Sequence, residues 1–136
     1  MTVKTISQKN KVLATTALPD LSWYRDAANP KKRAAHIKKL CAQIARDFQV
    51  EKIILFGSQA YGHPTIDSDV DLLVVMSHEG SPLLQAGKIL KHLRVWMPLD
   101  LIVRNAEEIE ERLQLGDKFM REILARGKVI YEAKHT

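Results

Sequence analysis

The sequence is poor in the features that crosslink or anchor small proteins. Its 136 residues include one cysteine, Cys41, so no internal disulfide can form, which is typical of a protein from a reducing cytoplasm. No apolar run approaches the roughly 20 residues of a membrane-spanning helix, so we expect a cytoplasmic protein that does not enter a membrane. With 46% hydrophobic and 27% charged residues, the composition predicts a globular domain with a core of its own.

Several motifs of nucleotide and metal chemistry are also missing. The sequence has no Walker phosphate loop, because no Gly-Lys-Ser/Thr follows a glycine at the required spacing. Asp67, Asp69 and Asp71 imitate the start of a calcium loop. Leu72 and His78 exclude that interpretation, because they stand where the loop needs glycine and glutamate. The histidines show no ligand spacing and are interpreted as surface residues: His36, His63, His78, His92 and His135.

The charge balance favours a partner that is acidic or phosphorylated, but it does not identify that partner. Lysine and arginine number 21 against 16 acidic residues, a net charge of +5. Much of the positive charge lies on the polar face of a predicted amphipathic helix over residues 30–48. Because no aromatic residues are interleaved there to stack bases, we interpret that face as solvated and expect no nucleic-acid partner.

Apolar patterning predicts one α/β (α+β) domain, with a small mixed β-sheet flanked by helices. After the helix over 30–48, the predicted order is strand 52–56, a loop or short helix, strand 70–76, helix 82–94, strand 99–103, two helices over 105–126, and strand 128–131. Residues 1–28 show no sustained period and are assigned to an N-terminal extension. Residues 29–136 are assigned to the domain itself.

Three aspartates interrupt or border these apolar strands: Asp69, Asp71 and Asp100. A carboxylate in a buried strand is unfavourable unless it is paired or binds a metal. Asp69 and Asp71 are two residues apart, so strand alternation points both to one face, ~6.6 Å apart along the backbone. The helix between the second and third strands is long enough for a right-handed crossover. Those strands would then be parallel, and Asp100 would lie beside the pair.

A Gly-Ser turn leaves the first predicted strand at Gly57 and Ser58. If the first strand runs antiparallel to the second, this turn reaches the same sheet edge as the aspartates. Exposed backbone N–H groups and a serine hydroxyl there can bind an anion. Carboxylates that hold hard cations opposite such a turn are what magnesium–nucleotide chemistry requires.

From Gly57 the chain reads GSQAYGHPTIDSDVD, which is Gly-Ser, ten residues, then Asp69-x-Asp71. This GS-x10-DxD spacing, with a strand before it and a lone strand aspartate after it, resembles the polymerase-β-like nucleotidyltransferase superfamily. The resemblance covers about residues 30–131. Size and layout are similar to the minimal nucleotidyltransferases (MNT) in particular, and the tail FMREILARGKVIYE is similar to their usual C-terminal run.

The resemblance implies the polymerase-β-like fold and Mg²⁺-dependent transfer of a nucleoside monophosphate, AMP from ATP, to an acceptor hydroxyl. Asp69, Asp71 and Asp100 would ligate two Mg²⁺ ions, and Asp100 would also orient or deprotonate the hydroxyl. Gly57 and Ser58 would hold the triphosphate of the ATP. Many minimal members have arginine after Gly-Ser, where this chain has Gln59. One triphosphate contact is therefore missing or is supplied by another basic residue.

The resemblance also implies a protein partner. Minimal members are often paired with a HEPN-domain protein as a toxin–antitoxin couple, in which the MNT protein modifies a tyrosine on the toxin. We therefore expect an enzyme that acts as the antitoxin of such a pair. The alternative is a non-catalytic antitoxin, a binding module that neutralises its partner by contact. Whether the chain forms a homo-oligomer stays open.

Overall fold

The computed structural model describes residues 18, 20–94 and 96–134 of the chain. Its elements are α1 (Ser22–Asp26), α2 (Pro30–Asp47), β1 (Val50–Phe56), α3 (Ser58–Tyr61), β2 (Val70–Met76), α4 (Pro82–His92), β3 (Leu99–Arg104), α5 (Ala106–Gln114), α6 (Lys118–Arg126) and β4 (Lys128–Glu132). From α2 onward this is the order predicted from the sequence, with each end within two residues of the prediction.

The four strands form one mixed sheet in the order β3-β2-β1-β4. β1 runs antiparallel to both β2 and β4, while β2 and β3 are parallel. Helix α4 makes the crossover between the two parallel strands, as its length predicted. The expected mixed α/β architecture is therefore confirmed, and both the end of β1 and the starts of β2 and β3 lie at one edge of the sheet.

Alternation along the strands divides the core into two clusters, one on each face of the sheet. On the face we call the α2 face, strand residues such as Leu72, Val74 and Leu101 pack with Ile37 and Ile44 of α2. On the opposite face, which we call the α6 face, the alternate strand residues pack against Met120 and Ile123 of α6. These strand residues are Ile54, Phe56, Leu73 and Val75. Any polar residue in a strand can thus be assigned to a face by its position in this alternation.

Side-chain caps start the helices where the sequence predicted. The Asn29 side chain accepts from the backbone N–H of Lys31 and Lys32, and Pro30 occupies the first turn of α2. Asn105 and Glu108 form a capping box at the start of α5. Glu108 also contacts His78 Nε2 at 2.8 Å, and the His78 side chain is only 4% exposed. The expectation that His78 lies at the surface was therefore wrong.

The segment assigned to an N-terminal extension contributes to the core. Trp23 of α1 is 1% exposed and belongs to the cluster on the α2 face. The backbone of Asp20 is tied to the loop before β3, because its N–H donates to Arg94 O (2.7 Å) and its carbonyl accepts from Trp96 N–H (2.9 Å). This part of the segment is docked on the domain. The boundary at residue 28 stays a prediction, and residues 1–17 lie outside the described part of the chain.

The single cysteine, Cys41, is a residue of the core. It is fully buried on the apolar side of α2, and burial raises the pKa of its thiol to about 12. Over the described ranges, none of the helices is long and apolar enough to span a lipid bilayer.

Candidate active site

Asp71 and Asp100 are direct neighbours across the parallel strands. The register pairs the Cα atoms of these two residues, as the crossover argument predicted. Each alternates with residues of the α2-face cluster, Leu72 beside Asp71 and Leu101 beside Asp100, so both aspartates belong to the α6 face. Asp69 precedes Asp71 by two residues and is exposed just before β2 begins. The structure thus brings the three predicted aspartates to one sheet edge.

Burial and the two neighbouring aspartates disfavour the charged form of Asp71. Its pKa is raised above the ordinary value of 3.8, first by burial and then by repulsion from Asp100 and Asp69. All three influences disfavour the charged form of Asp71. A cation bound among these carboxylates would reverse the effect of the two neighbours, because each negative charge would then face a positive one.

This raised pKa predicts a pH dependence of stability in metal-free protein. Because the folded protein holds the Asp71 proton more tightly than the unfolded chain, stability is lost as the pH rises from about 3.8 through the raised pKa. Asp71→Asn removes that loss. We therefore expect the melting temperature of the variant, relative to wild type, to increase across this window in chelator-containing buffer. A difference in melting temperature between variant and wild type that is the same at every pH would show that the pKa of Asp71 is not raised.

The donor chemistry at this edge fits magnesium. Carboxylate oxygens are the hard ligands that Mg²⁺ prefers, and a Mg²⁺ site in a nucleotide enzyme is completed by phosphate oxygens and water. Within the described ranges, no three acidic, histidine or cysteine side chains are gathered closely enough to form a metal cage on their own. The aspartates would therefore serve as an open site, shared with the phosphates of a nucleotide.

The Gly-Ser turn lies against the Asp71 carboxylate. β1 ends at Phe56, whose register partner is Asp71, and Gly57 follows with φ +73° and ψ −157°. A Cβ atom at Gly57 would lie 2.2 Å from Asp71 Oδ2, so only glycine allows this approach. The Gly57 carbonyl accepts from the N–H groups of Ala60 (3.0 Å) and Tyr61 (3.1 Å). These bonds fold residues 58–61 into the single turn of α3.

The Gln59 side chain is engaged in a hydrogen bond within the protein. Its side-chain Nε2 donates to Ser68 O at 3.3 Å, which ties α3 to the loop that precedes β2. Ser68 Oγ in turn accepts from Thr65 N–H at 2.8 Å. The residue that stands in the place of the family's arginine is therefore a structural tie of the loop between the Gly-Ser turn and Asp69.

Sequence reasoning missed a group of aromatic and cationic side chains beside the Gly-Ser turn. Phe119 of α6 packs edge-to-face on Phe56, with ring centroids 5.6 Å apart, and it remains half exposed. Seven residues further along α6, or about two helical turns, the Arg126 guanidinium carbon lies 4.3 Å from the centre of the Tyr61 ring. These contacts depend on the angle at which α6 crosses the sheet. The only signal available in the sequence was the likeness of the C-terminal run.

Comparisons with known proteins identify the family of the chain. The family described as "Polymerase beta, Nucleotidyltransferase" matches residues 37–136. A protein of Methanocaldococcus jannaschii named "Putative protein adenylyltransferase MJ0604" is 32% identical over 84 residues, which cover 61% of this chain and 80% of that protein.

Two solved structures are also similar. The crystal structure of a nucleotidyltransferase, called putative, from Sulfolobus solfataricus superposes with a TM-score of 0.55 at 19% identity, over 79% of this chain and 87% of the other. It shows the same fold. A structure described as a "toxin-antitoxin with AMP-PNP" superposes with a TM-score of 0.46 at 19% identity, over 71% of this chain and 74% of the other.

The extent of the family match, together with the arrangement of the turn and the aspartates, establishes the class of the protein. The chain belongs to the polymerase-β nucleotidyltransferase family. It is a transferase of nucleoside monophosphates with the fold of that family.

Proposed function

We propose that the chain is a minimal nucleotidyltransferase that moves AMP from ATP to a hydroxyl group on a protein, in a reaction that depends on Mg²⁺. The observation that carries the proposal is the approach of Gly57 to the Asp71 carboxylate, with Asp100 as the register neighbour of Asp71. A phosphate bound at the turn would lie beside the carboxylates. The adenylyl group and the protein acceptor are supported by the similarity to the M. jannaschii protein, whose name specifies both.

The residues of the chain would divide the chemistry as follows. Backbone N–H groups of the turn and the Ser58 hydroxyl donate to phosphate oxygens and hold the triphosphate in place. Asp69, Asp71 and Asp100 would hold Mg²⁺, which supplies charge neutralisation for the attacking and leaving oxygens. Asp100 takes the proton of the acceptor hydroxyl. The acceptor oxygen then bonds to the α-phosphorus, the bond from that phosphorus to the bridging oxygen breaks, and pyrophosphate leaves.

The exposure of Asp100 supports an acceptor that belongs to a macromolecule. β3 is an edge strand of the sheet, and Asp100 near its start is exposed, so a large partner can present a side chain to it without entering a closed cavity. A tyrosine of a HEPN-domain toxin is the acceptor that we propose. The chain would then be the antitoxin of the pair, and it would inactivate its partner by covalent modification.

A non-catalytic antitoxin is the second candidate, and Gln59 is the observation that favours it. The Gly-Ser turn has no charged residue of its own in α3, because Gln59 is a neutral tie to Ser68. A protein that only binds its partner would tolerate such a turn. The catalytic and the non-catalytic antitoxin differ in whether a label on the α-phosphate of ATP is transferred to the partner protein.

Ser58→Ala tests the catalytic reading in that labelling experiment. With ATP labelled at the α-phosphate, Mg²⁺ and a candidate HEPN partner, wild type should transfer label to the partner, whereas ATP labelled at the γ-phosphate should leave it unlabelled. We expect Ser58→Ala to slow transfer about 10- to 1,000-fold, since one donor among several is removed. The fold should be unaffected by circular dichroism. Unchanged turnover in the variant would show that the Gly-Ser turn is structural only.

A further inference from the structure

The Gly-Ser turn supplies hydrogen-bond donors without positive charge. None of the side chains of α3 is charged, and the amide of Gln59 is engaged with the Ser68 carbonyl. A nucleoside triphosphate is a polyanion, and proteins usually bind such groups with arginine or lysine besides any metal. The three nearby aspartates increase this need, because they repel the same phosphates.

Two cations near the turn lie on the wrong face of the sheet. Arg33 and Lys128 line a cavity of about 270 Å³ together with Gln59 and Ile37. Ile37 belongs to the core cluster of the α2 face, whereas Asp71 and Asp100 belong to the α6 face. Arg33 is also buried, and it donates to the Ala27 carbonyl. Neither cation therefore lies on the face where the aspartates and the phosphates would meet.

Arg126 lies on the same face as the aspartates. Its guanidinium carbon is 4.3 Å from the centre of the Tyr61 ring, and Tyr61 packs against the core cluster of the α6 face. Tyr61 is the last residue of α3, three positions after Ser58. Residues at that spacing on a helix have Cβ atoms about 5–6 Å apart. The contact with Tyr61 thus holds a positive charge beside α3, on a side chain one helical turn from Ser58.

The contacts of Arg126 leave it able to bind an anion. A guanidinium stacked on an aromatic ring uses its flat face, while its N–H groups lie in the plane and point outward. The ion pair that it makes, with Glu122 Oε2, is long at 3.5 Å, and the Arg126 side chain is 55% exposed. Such an exposed pair contributes little energy, so it does not compete with a phosphate.

We propose that Arg126 binds the triphosphate of the nucleotide and that the ring of Tyr61 positions its guanidinium over the Gly-Ser turn. This inference rests on the proposed function, because it assumes that ATP binds at the turn. Arg126 is then the cation that compensates for the neutral residue at position 59. Lysine would serve less well, because it lacks both the flat stacking face and the paired donors.

Calorimetry in the presence of Mg²⁺ tests the assignment with two probes, ATP and inorganic tripolyphosphate. We expect Arg126→Ala to weaken both about 10- to 100-fold, the range for a hydrogen-bonded charged contact, and Arg126→Lys to weaken both less. The matched control is Arg121→Ala, an exposed arginine of the same helix, which should bind both probes as wild type does. Circular dichroism verifies that each variant is folded.

The possible outcomes separate this inference from the proposed function. ATP affinity unchanged in Arg126→Ala would overturn it, and so would a loss for ATP without a loss for tripolyphosphate, which would place the contact at the nucleoside. Absence of ATP binding by wild type would contradict the proposed function itself. Tyr61→Phe should bind ATP normally and Tyr61→Leu should not, since only the ring is required.

Discussion

Asp71→Asn is expected to lower the rate of AMP transfer on the order of 1,000-fold or more and to leave the protein folded. Asparagine keeps the size of the side chain, but it removes the charge that would hold a metal ion against the phosphates. Asp69→Asn and Asp100→Asn should behave in the same way. Groups that stabilise one transition state together produce losses of this size when any of them is removed.

Asp67→Asn is the matched control for these variants. Asp67 is an exposed aspartate in the same loop, two residues before Asp69, and it should retain wild-type turnover. The double variant Asp69→Asn/Asp71→Asn should be barely slower than either single one, because residues that act as a unit are not additive. In metal-free buffer each active-site variant should melt at or above the wild-type temperature, since a repulsive charge has been removed. An asparagine variant that unfolds would show that its aspartate is structural.

Gly57→Ala is expected to abolish transfer and also to destabilise the fold. A Cβ atom there would lie 2.2 Å from Asp71 Oδ2, so the carboxylate would have to rotate away from the turn. The backbone conformation, φ +73° and ψ −157°, is one that essentially only glycine adopts, and for alanine it costs about 1–3 kcal/mol. Transfer rates and thermal melting measure the two effects separately.

Two other glycines provide controls for the two causes. Gly80 also has a positive φ of +71°, but a Cβ atom there would meet nothing within 4 Å, so Gly80→Ala should lower stability and leave transfer unchanged. Gly87 lies inside α4 with open space around it, and Gly87→Ala should stabilise the protein by up to about 1 kcal/mol. If Gly57→Ala retained full activity, the contact between the turn and Asp71 would not matter for catalysis.

The parts of the fold that could be predicted are those with local or topological causes. The strand at Val70–Met76 is an apolar run interrupted by Asp71 alone, and its bounds agree with the prediction. The neighbourhood of Asp71 and Asp100 followed from a general rule, the right-handed crossover between parallel strands, and the observed register agrees with it. The helix bounds were predictable because the apolar period of a helix is a local property of the sequence.

The parts that could not be predicted depend on contacts between elements distant in the chain. Trp23 is buried although its segment shows no period, because one large side chain on a short helix leaves no pattern. The His78 side chain is covered because it contacts Glu108 of α5, which lies 30 residues further along the chain. The stack of Arg126 on Tyr61 results from the path of α6 across the sheet, which side-chain packing determines and residue spacing does not.

The most direct measurement of the central claim is the affinity of the protein for ATP with and without Mg²⁺. Three carboxylates at one edge of the sheet repel a bare triphosphate, and bound metal ions reverse that repulsion. Calorimetry should therefore show tighter ATP binding in Mg²⁺ than in EDTA for wild type, and a much smaller difference for Asp71→Asn. Equal ATP affinity of the wild-type protein in Mg²⁺ and in EDTA would contradict the assignment of Asp69, Asp71 and Asp100 as the metal site.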